Sequence, residues 1–250
     1  MKIAILTGGS SGIGKATAIE LARRGIGVIL TYHANAEDGD AVVREIEKNN
    51  GKAMALKLDL SKRETFADFT QAVKKGLAEI WQRKTFDYLL NNGGTGGPME
   101  FTEMTEEYFD RIFNTNFTGP VFLTQKLIGS MEDGGCIVNT SSSSSRQAFV
   151  GYSAYGPSKA ALTSWTRYLA KELAPRQIRV NAVSPGPTHT NFGDGAFDKH
   201  PEFSEILGAQ VALGRVGNPE DLAKVIVNLL SEDFGWVTAQ DIEVSGGHLL

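Results

Sequence analysis

Short apolar runs alternate with longer amphipathic stretches along the whole chain, and this pattern predicts the secondary structure. The short runs are rich in Ile, Val and Leu, as buried parallel strands are, and they predict seven strands near residues 2–6, 28–32, 53–58, 88–91, 136–140, 179–183 and 241–244. In the longer stretches apolar residues recur every three or four positions, which predicts helices at residues 16–24, 41–48, 66–81, 108–131, 160–173 and 222–230. Strands that alternate with helices are typical of an α/β fold with a doubly wound parallel sheet flanked by helices.

Composition and charge narrow the class of protein. No linker, repeat or shift in composition divides the 250 residues, so we expect one domain over residues 1–250. Lys and Arg number 25 against 29 Asp and Glu, and the net charge of -4 argues against nucleic acid as a partner. The single cysteine, Cys136, and the lack of Cys/His metal spacing predict a reducing compartment and no metal. The first apolar run is too short for a membrane span or signal peptide, so we expect a cytoplasmic protein with no membrane partner.

A glycine-rich turn follows the first predicted strand. It reads Thr7-Gly8-Gly9-Ser10-Ser11-Gly12-Ile13-Gly14, and a helix is predicted directly after it. Glycines permit a tight turn and a close backbone approach to a pyrophosphate, while the helix N-terminus offers free N–H groups. Between a first strand and a first helix, such a turn predicts a dinucleotide site, with an ordinary loop as the alternative.

The spacing Thr-Gly-x-x-x-Gly-x-Gly resembles that of the short-chain dehydrogenase/reductase family, and further family-like segments follow in order over the full chain. These are Asp59, Asn91-Asn92-Gly93-Gly94, Asn116, Ser142, Tyr155-Gly156-Pro157-Ser158-Lys159 and Pro185-Gly186. The resemblance, which includes 3-oxoacyl-acyl-carrier-protein reductase-like members, implies a Rossmann-type fold. It also implies an NAD(P)-dependent oxidoreductase that interconverts a ketone and a secondary alcohol by hydride transfer.

The resemblance implies four catalytic residues: Asn116, Ser142, Tyr155 and Lys159. Tyr155 would be the acid/base. Lys159, one helical turn further along, would lower the pKa of Tyr155 and hold the nicotinamide ribose. Ser142 would hydrogen-bond the substrate oxygen, with Ser143 as the runner-up. The main-chain carbonyl of Asn116 would hold a water leading to Lys159. Pro120, four residues after Asn116, lacks the N–H that would bond this carbonyl; a purely structural kink is the alternative.

The resemblance also implies a set of cofactor-binding residues: Gly8, Ser10, Ser11, Gly12, Ile13, Gly14, Tyr32, His33, Asp59, Leu60, Asn92, Gly93, Tyr155, Lys159, Pro185, Gly186, Thr188 and Thr190. An acidic residue at the end of the second strand would bind the ribose 2′-hydroxyl and repel a 2′-phosphate. Tyr32 and His33 stand there instead, so NADP(H) is predicted. NAD(H) stays possible because no Arg or Lys follows, which leaves His33, Asn35 and Ser11 as candidate phosphate partners.

The acidic segment Met131-Glu132-Asp133 would repel an acidic acyl carrier protein, although Arg176 is a nearby base. A small-molecule ketone or alcohol is therefore the first expectation. An acyl-carrier substrate is the second, and a non-catalytic dinucleotide-binding subunit is the alternative from another class. His189 and His200 are expected to be exposed rather than to touch substrate, and His248 and Cys136 to be structural.

Two further expectations concern motion and assembly. The segment 188–213 is predicted to be a mobile lid, because Gly193 and Gly195 can absorb large backbone changes. Its phenylalanines, Phe192, Phe197 and Phe203, would cover an apolar substrate, and a pair of packed helices is the alternative. The apolar helix at residues 162–173, together with the family resemblance, predicts a homotetramer, with a dimer as second choice.

Overall fold

Seven parallel strands form one sheet in the order β3-β2-β1-β4-β5-β6-β7. The computed structural model describes the backbone of residues 1–250 and every side chain except those of Asp194 and Ala196. The strands are β1 (Ile3–Leu6), β2 (Gly27–Tyr32), β3 (Ala53–Lys57), β4 (Phe86–Asn91), β5 (Met131–Thr140), β6 (Arg179–Pro185) and β7 (Asp241–Val244). The strand order reverses between β1 and β4, so the predicted doubly wound, Rossmann-type α/β fold is confirmed.

Helices cover both faces of this sheet. They are α1 (Gly12–Arg23), α2 (Ala36–Lys48), α3 (Phe66–Trp81), α4 (Glu106–Phe113), α5 (Gly119–Leu127), α6 (Tyr155–Leu173), α7 (Phe192–Lys199), α8 (Glu202–Gly208) and α9 (Pro219–Leu230). Successive side chains of a strand point to opposite faces, and in β1 Ile3 and Ile5 enter one core while Ala4 and Leu6 enter the other. The first core holds α3, α5 and α6 against the sheet, and the second holds α1, α2 and α9.

The single helix predicted at residues 108–131 is wrong. The structure has α4, then a π-helical turn at Asn114–Thr118, then α5. The N–H of Gly119 donates to the carbonyl of Asn114, five residues back, and Pro120 has no N–H to give. Met131, expected at the helix end, is buried and begins β5, where it pairs with Phe86.

The segment 188–213, predicted as a loop-like lid, instead contains α7 and α8. Pro201 stands at the N-cap of α8, where a residue without an N–H is tolerated. The loop interpretation is therefore corrected to two short helices. No helix in the described part of the chain has the length and apolar character that crossing a membrane requires.

Candidate active site

The carboxyl ends of β1 and β4 meet where the strand order reverses, and the glycine turn begins there. The Thr7 hydroxyl accepts hydrogen bonds from the N–H groups of Asn92 (3.0 Å) and Gly93 (2.9 Å). The Asn92 amide in turn donates to the carbonyls of Thr7 and Gly8. These bonds fix the turn against the end of β4.

Two positions of the turn have room only for glycine. A Cβ on Gly8, which has φ +66°, would lie 2.8 Å from the Cα of Gly93, and a Cβ on Gly14 would lie 1.9 Å from the carbonyl oxygen of Gly8. Ser11 is the N-cap of α1 and its side chain makes no capping bond. The first N–H groups of α1 are thus left for an anion. This cradle fits the pyrophosphate of a dinucleotide.

The end of β2 faces Asp59. Nε2 of His33 lies 3.5 Å from Oδ2 of Asp59, while Oδ1 accepts hydrogen bonds from Ser61 N (2.9 Å) and Ser61 Oγ (2.6 Å). Burial raises the pKa of Asp59, but the bonds from Ser61 and the nearby His33 outweigh it, so the pKa is lowered overall. Asn35, a candidate phosphate partner, instead accepts a hydrogen bond from Glu37 N and caps α2.

Leu60 and Gly93 lie side by side below the cleft. Leu60 is buried, and its Cδ1 would lie 2.8 Å from a Cβ at position 93. This contact accounts for glycine, rather than a larger residue, at position 93.

The segment after β6 closes the other side of the cleft. Pro185 is the last residue of β6, and the segment contains Gly186, Thr188 and Thr190. The Thr188 hydroxyl donates to the carbonyl of Gly186 at 2.9 Å. Cγ2 of Thr190 would lie 3.3 Å from a Cβ at Gly12, so this segment reaches the glycine turn.

Tyr155 and Lys159 lie one turn apart at the start of α6, and both side chains are buried. Nζ of Lys159 is 5.9 Å from the centre of the Tyr155 ring and donates to the carbonyl of Thr140 at 2.8 Å. Ser142, at the end of β5, accepts a hydrogen bond from Ser144 N and lies beside Tyr155. The structure thus brings the three predicted side chains together, with Ser142 rather than Ser143 next to the phenol.

Burial dominates the electrostatics of this pair. It raises the pKa of Tyr155 to about 12, an effect that the Ser142 hydroxyl opposes. It lowers the pKa of Lys159 to about 8. In the free protein the pKa of Tyr155 is therefore raised rather than lowered, because desolvation disfavours the phenolate.

Asn116 lies in the π-helical turn and is fully buried. Its Oδ1 accepts from Thr95 N at 2.9 Å, and its Nδ2 donates to Thr95 O at 2.8 Å and to Ser158 Oγ at 3.3 Å. The side chain therefore ties the loop after β4 to α6. That anchoring holds the helix carrying Tyr155 and Lys159 in place.

Aromatic rings surround Tyr155. Its ring lies 5.6 Å from that of Phe192 on α7 and 5.9 Å from that of Tyr152, which in turn lies 6.4 Å from Phe149. A Cβ at Gly96 would lie 2.7 Å from Phe192 and 2.9 Å from Tyr155, so the glycine lets these rings close together. We call Tyr155, Tyr152 and Phe149 the aromatic row.

Sequence reasoning missed Tyr152, Phe149 and Gly96 as parts of the site. The available signal was the three-residue spacing of the aromatic residues ahead of Tyr155. The side chains of His189 and His200 are about half exposed, and their ring nitrogens lie 3.4 Å and 3.3 Å from carboxylate oxygens of Asp198 and Glu202. Cys136 is buried, and burial raises the pKa of its thiol to about 12.

Comparison with known proteins fits this geometry. Residues 8–248 match a family described as enoyl-(acyl carrier protein) reductase. The short-chain dehydrogenase/reductase FrzI of a Cladobotryum species is 36% identical over 251 residues, which cover 98% of this chain and 95% of FrzI. This chain belongs to the short-chain dehydrogenase/reductase family. It is therefore an oxidoreductase.

Two other members of the family bear on the chemistry. The hydroxynaphthalene reductase-like protein Arp2 of Metarhizium brunneum is 33% identical over 257 residues, covering 98% of this chain and 94% of Arp2. The crystal structure of the angucycline C-6 ketoreductase LanV with bound NADP matches with a TM-score of 0.94 and 35% identity. That match covers 99% of this chain and 95% of LanV. Ketoreductases are thus among the similar members of the short-chain dehydrogenase/reductase family.

Proposed function

We propose that this protein uses NADPH to reduce a ketone carried on a fused aromatic ring system to a secondary alcohol. The observation that carries the proposal is the buried Tyr155 hydroxyl, which lies beside Ser142 and Lys159 and is surrounded by aromatic rings. The family membership, the name of Arp2 and the NADP bound to LanV support the same chemistry.

Bound NADPH supplies the hydride that reaches the carbonyl carbon. Tyr155 donates the proton to the carbonyl oxygen, and Ser142 donates a hydrogen bond to the same oxygen. Lys159 holds the nicotinamide ribose, and its ammonium group stabilises the phenolate that remains after proton transfer. Asn116 keeps α6 and the loop after β4 in register.

The raised pKa of Tyr155 suits the reductive direction. With a pKa of about 12, the hydroxyl is fully protonated at neutral pH and holds the proton that reduction consumes. Oxidation would require the phenolate at the start of the reaction. The free enzyme is thus prepared to act as an acid.

The cleft residues support NADP(H) over NAD(H). Position 32 is Tyr and position 33 is His, so no carboxylate at the end of β2 repels a 2′-phosphate. Ser10, Ser11, Ile13 and Gly14 of the turn, with Thr188 and Thr190, would hold the pyrophosphate and nicotinamide side. His33 is the side chain at this edge that could pair with the 2′-phosphate, since Asn35 caps α2.

Cofactor choice is tested by binding. Tyr32→Asp should shift the ratio of the Kd values for NADPH and NADH toward NADH by more than tenfold, because a carboxylate repels the 2′-phosphate. The ratio is measured by nicotinamide fluorescence titration, with Tyr32→Phe as the control. A wild-type enzyme that already binds NADH more tightly than NADPH would contradict the preference.

Turnover is tested with a panel of ketones. Tetralone, cyclohexanone and acetoacetyl-coenzyme A represent a fused aromatic ketone, an aliphatic ketone and an acyl-carrier analogue. We expect the highest kcat/KM with tetralone, and Tyr155→Phe should lower kcat by about 10²-fold or more with NADPH affinity retained. Near-normal turnover by Tyr155→Phe would show that another group protonates the substrate.

A second candidate is reduction of an acyl-carrier substrate, which the description of the matching family favours. The docking face argues against it. The guanidinium of Arg176 is bonded to Asp133 at 2.7 Å and to the carbonyls of Ile128 and Met131. Arg176, the base that the sequence offers near this face for an acidic carrier, is therefore bonded within the chain.

We propose further that residues 1–250 act as one domain and assemble into a homotetramer. Aromatic side chains on α4, α5 and α6 support assembly. Phe109, Phe122 and Tyr168 are 38%, 37% and 68% exposed on the outer side of these helices. An apolar surface of this kind is typical of a subunit interface.

A further inference from the structure

Three residues hold buried polar atoms that have no hydrogen-bond partner within the chain. The atoms are Oγ of Ser145, Oε1 of Gln147 and both ring nitrogens of His248, a residue that is 2% exposed. Among the described side chains, the other buried and unpaired atoms are Nε1 of Trp81 and Oδ1 of Asn91. Four of these six unpaired atoms therefore belong to one short loop and to His248, whose carbonyl bonds to that loop.

This place is the far end of the aromatic row. The His248 ring stacks on Phe149, with centroids 6.1 Å apart and planes 18° apart. Nε2 of Gln147 donates to the carbonyl of His248 at 3.0 Å. Ser145 and Gln147 belong to the same loop as Ser142. The row thus connects Tyr155, where the ketone reacts, to a cluster of unpaired donors and acceptors.

The chemistry of the cluster defines what it would bind. Burial lowers the pKa of His248, so its ring is neutral and carries one N–H donor and one bare nitrogen acceptor. Oε1 of Gln147 is a hydrogen-bond acceptor, and the Ser145 hydroxyl can donate or accept a hydrogen bond. A hydroxyl group both donates and accepts, so a phenolic or alcoholic oxygen complements the cluster.

Packing alone does not account for these residues. Leaving buried polar atoms without partners destabilises a folded protein, and an apolar ring would fill the space against Phe149 without that penalty. A residue that weakens the free protein in this way is expected where a ligand supplies the missing partners.

We propose that His248, with Gln147 and Ser145, binds a second oxygen of the substrate, carried on the ring system at a distance from the reacting ketone. The inference rests on the proposed function, since it assumes a fused aromatic substrate lying along the row. His248 is then a specificity-determining residue, and the preferred substrate is a hydroxylated aromatic ketone.

The unpaired atoms are closed to solvent in the free protein, so the C-terminal segment has to shift when substrate enters. Gly246 and Gly247 precede His248 with φ of +64° and +79°, and glycine accepts changes of backbone conformation at low cost. Hydrogen bonds from Leu213 N and Ala212 N to the carbonyls of Gly246 and Gly247, from His248 N to Ser245 Oγ and from Leu249 N to Gln210 O hold the segment in the free protein. Substrate entry at the imidazole therefore has to loosen some of these bonds.

The central test is His248→Phe, which keeps an aromatic ring against Phe149 and removes both nitrogens. With NADPH, we expect this variant to raise KM about tenfold for tetralones that carry a hydroxyl on the aromatic ring. KM for unsubstituted tetralone should stay within about twofold. The thermal midpoint of the free variant should equal or exceed that of the wild type, because the unpaired atoms are gone. Equal effects on both ketones would overturn the proposal.

A binding measurement separates this proposal from the proposed function. The NADP⁺-loaded enzyme is titrated calorimetrically with a dihydroxynaphthalene and with naphthol. Wild type should bind the dihydroxy compound about tenfold more tightly, and His248→Phe should lose that preference. If the preference follows His248 but no tetralone is reduced, the proposed function fails and the specificity site stands. If wild type shows no preference, or His248→Phe keeps it, the specificity site fails.

Phe149→Leu is the matched control. It disturbs the ring contact with His248 while leaving the polar atoms in place. A general disturbance of the row should weaken dihydroxynaphthalene and naphthol alike, so the ratio of the two Kd values should stay near that of wild type. A ratio that changes as much in Phe149→Leu as in His248→Phe would assign the effect to packing and overturn the proposal.

Discussion

Lys159 places a charged group where solvent cannot stabilise it. Its ammonium is buried, its pKa is lowered to about 8, and its hydrogen bond in the described structure goes to the carbonyl of Thr140. The unfolded chain holds this proton up to a pKa near 10.5. The difference corresponds to a free-energy penalty on the order of 3 kcal/mol for the folded state at neutral pH.

Replacing Lys159 with Met should therefore stabilise the cofactor-free enzyme at pH 7, by about 1–2 kcal/mol once the lost bond to Thr140 is counted. The penalty is complete below pH 8, where the folded and unfolded states both hold the proton. It fades as pH rises toward 10.5, because the folded state has then released the proton and the unfolded chain gains progressively less from holding it. The advantage of Lys159→Met should shrink over that range, as measured by denaturant unfolding. Lys171→Met, at an exposed position of α6, is the control, and the same pH dependence in both variants would contradict the argument.

Single residues of the site could be located from the sequence, because the ordered motifs place Ser142, Tyr155 and Lys159 by number. The direction of the pKa shift of Tyr155 could not be predicted in this way. It depends on how completely the surrounding elements exclude water, and residues distant in sequence such as Phe192 and Gly96 take part. His248 gave no signal at all, since its contact with Phe149 joins positions about a hundred residues apart.

Ala239 lies just before β7, and its backbone has an unfavourable conformation. Its φ is +61°, in the left-handed region, and its N–H donates to the carbonyl of Val180 at 2.7 Å. Glycine reaches this conformation without the steric penalty of a Cβ.

Ala239→Gly should accordingly stabilise the protein, by about 0.5–1 kcal/mol after the larger chain entropy of glycine is included. The free energy of unfolding in urea measures the effect. The same exchange at Ala78, an exposed position inside α3, should destabilise by about 1 kcal/mol. Destabilisation at both positions would show that the backbone at 239 carries no strain.

Helix α7 brings Phe192 against Tyr155, yet it includes Gly193 and Gly195 with φ of +67° and +71°. Left-handed residues interrupt regular helical hydrogen bonding, so we expect the amides of residues 192–203 to exchange with solvent within seconds in the free enzyme. NADPH should slow this exchange, and α6 serves as the protected reference. Strong and equal protection with and without NADPH would identify α7 as a fixed wall.

The sequence predicted helices and strands correctly where one pattern of apolar residues ran through a whole element. All seven strands and α3 were located by their apolar runs. The predicted helix at residues 108–131 failed because apolar spacing continues through α4 and α5, although Gly119 and Pro120 interrupt the bonding between them. The loop conformation expected for residues 188–213 was wrong because the glycines of this segment favour a loop, whereas the structure forms α7 and α8 on either side of Pro201.

For the whole molecule, the exposed aromatic side chains of α4, α5 and α6 predict assembly. A homotetramer is expected by multi-angle light scattering at micromolar concentration. Tyr168→Glu should shift the population toward smaller species, because a carboxylate is costly to bury in an interface. Lys48→Glu on α2 is the control for added negative charge. A wild-type monomer under these conditions would refute the assembly.

The overall architecture was the most predictable property of the chain. Alternation of buried strands and amphipathic helices leaves few topologies once right-handed crossovers are required, and the glycine turn marks the point where the strand order reverses. What remained unpredictable was the lining of the site, which is assembled from α7, the loop after β5 and the C-terminal segment.

The absence of a side chain at Gly96 makes this enzyme open to engineering by a single methyl group. Tyr155 and Phe192 close over that position, and a Cβ there would overlap both rings. Alanine at position 96 would hold the Tyr155 phenol and α7 apart, and the ring of Phe192, which already faces solvent, is the one free to move outward. The close approach of the two rings is therefore set by a missing side chain, and a designer seeking to admit bulkier ketones could begin at that glycine.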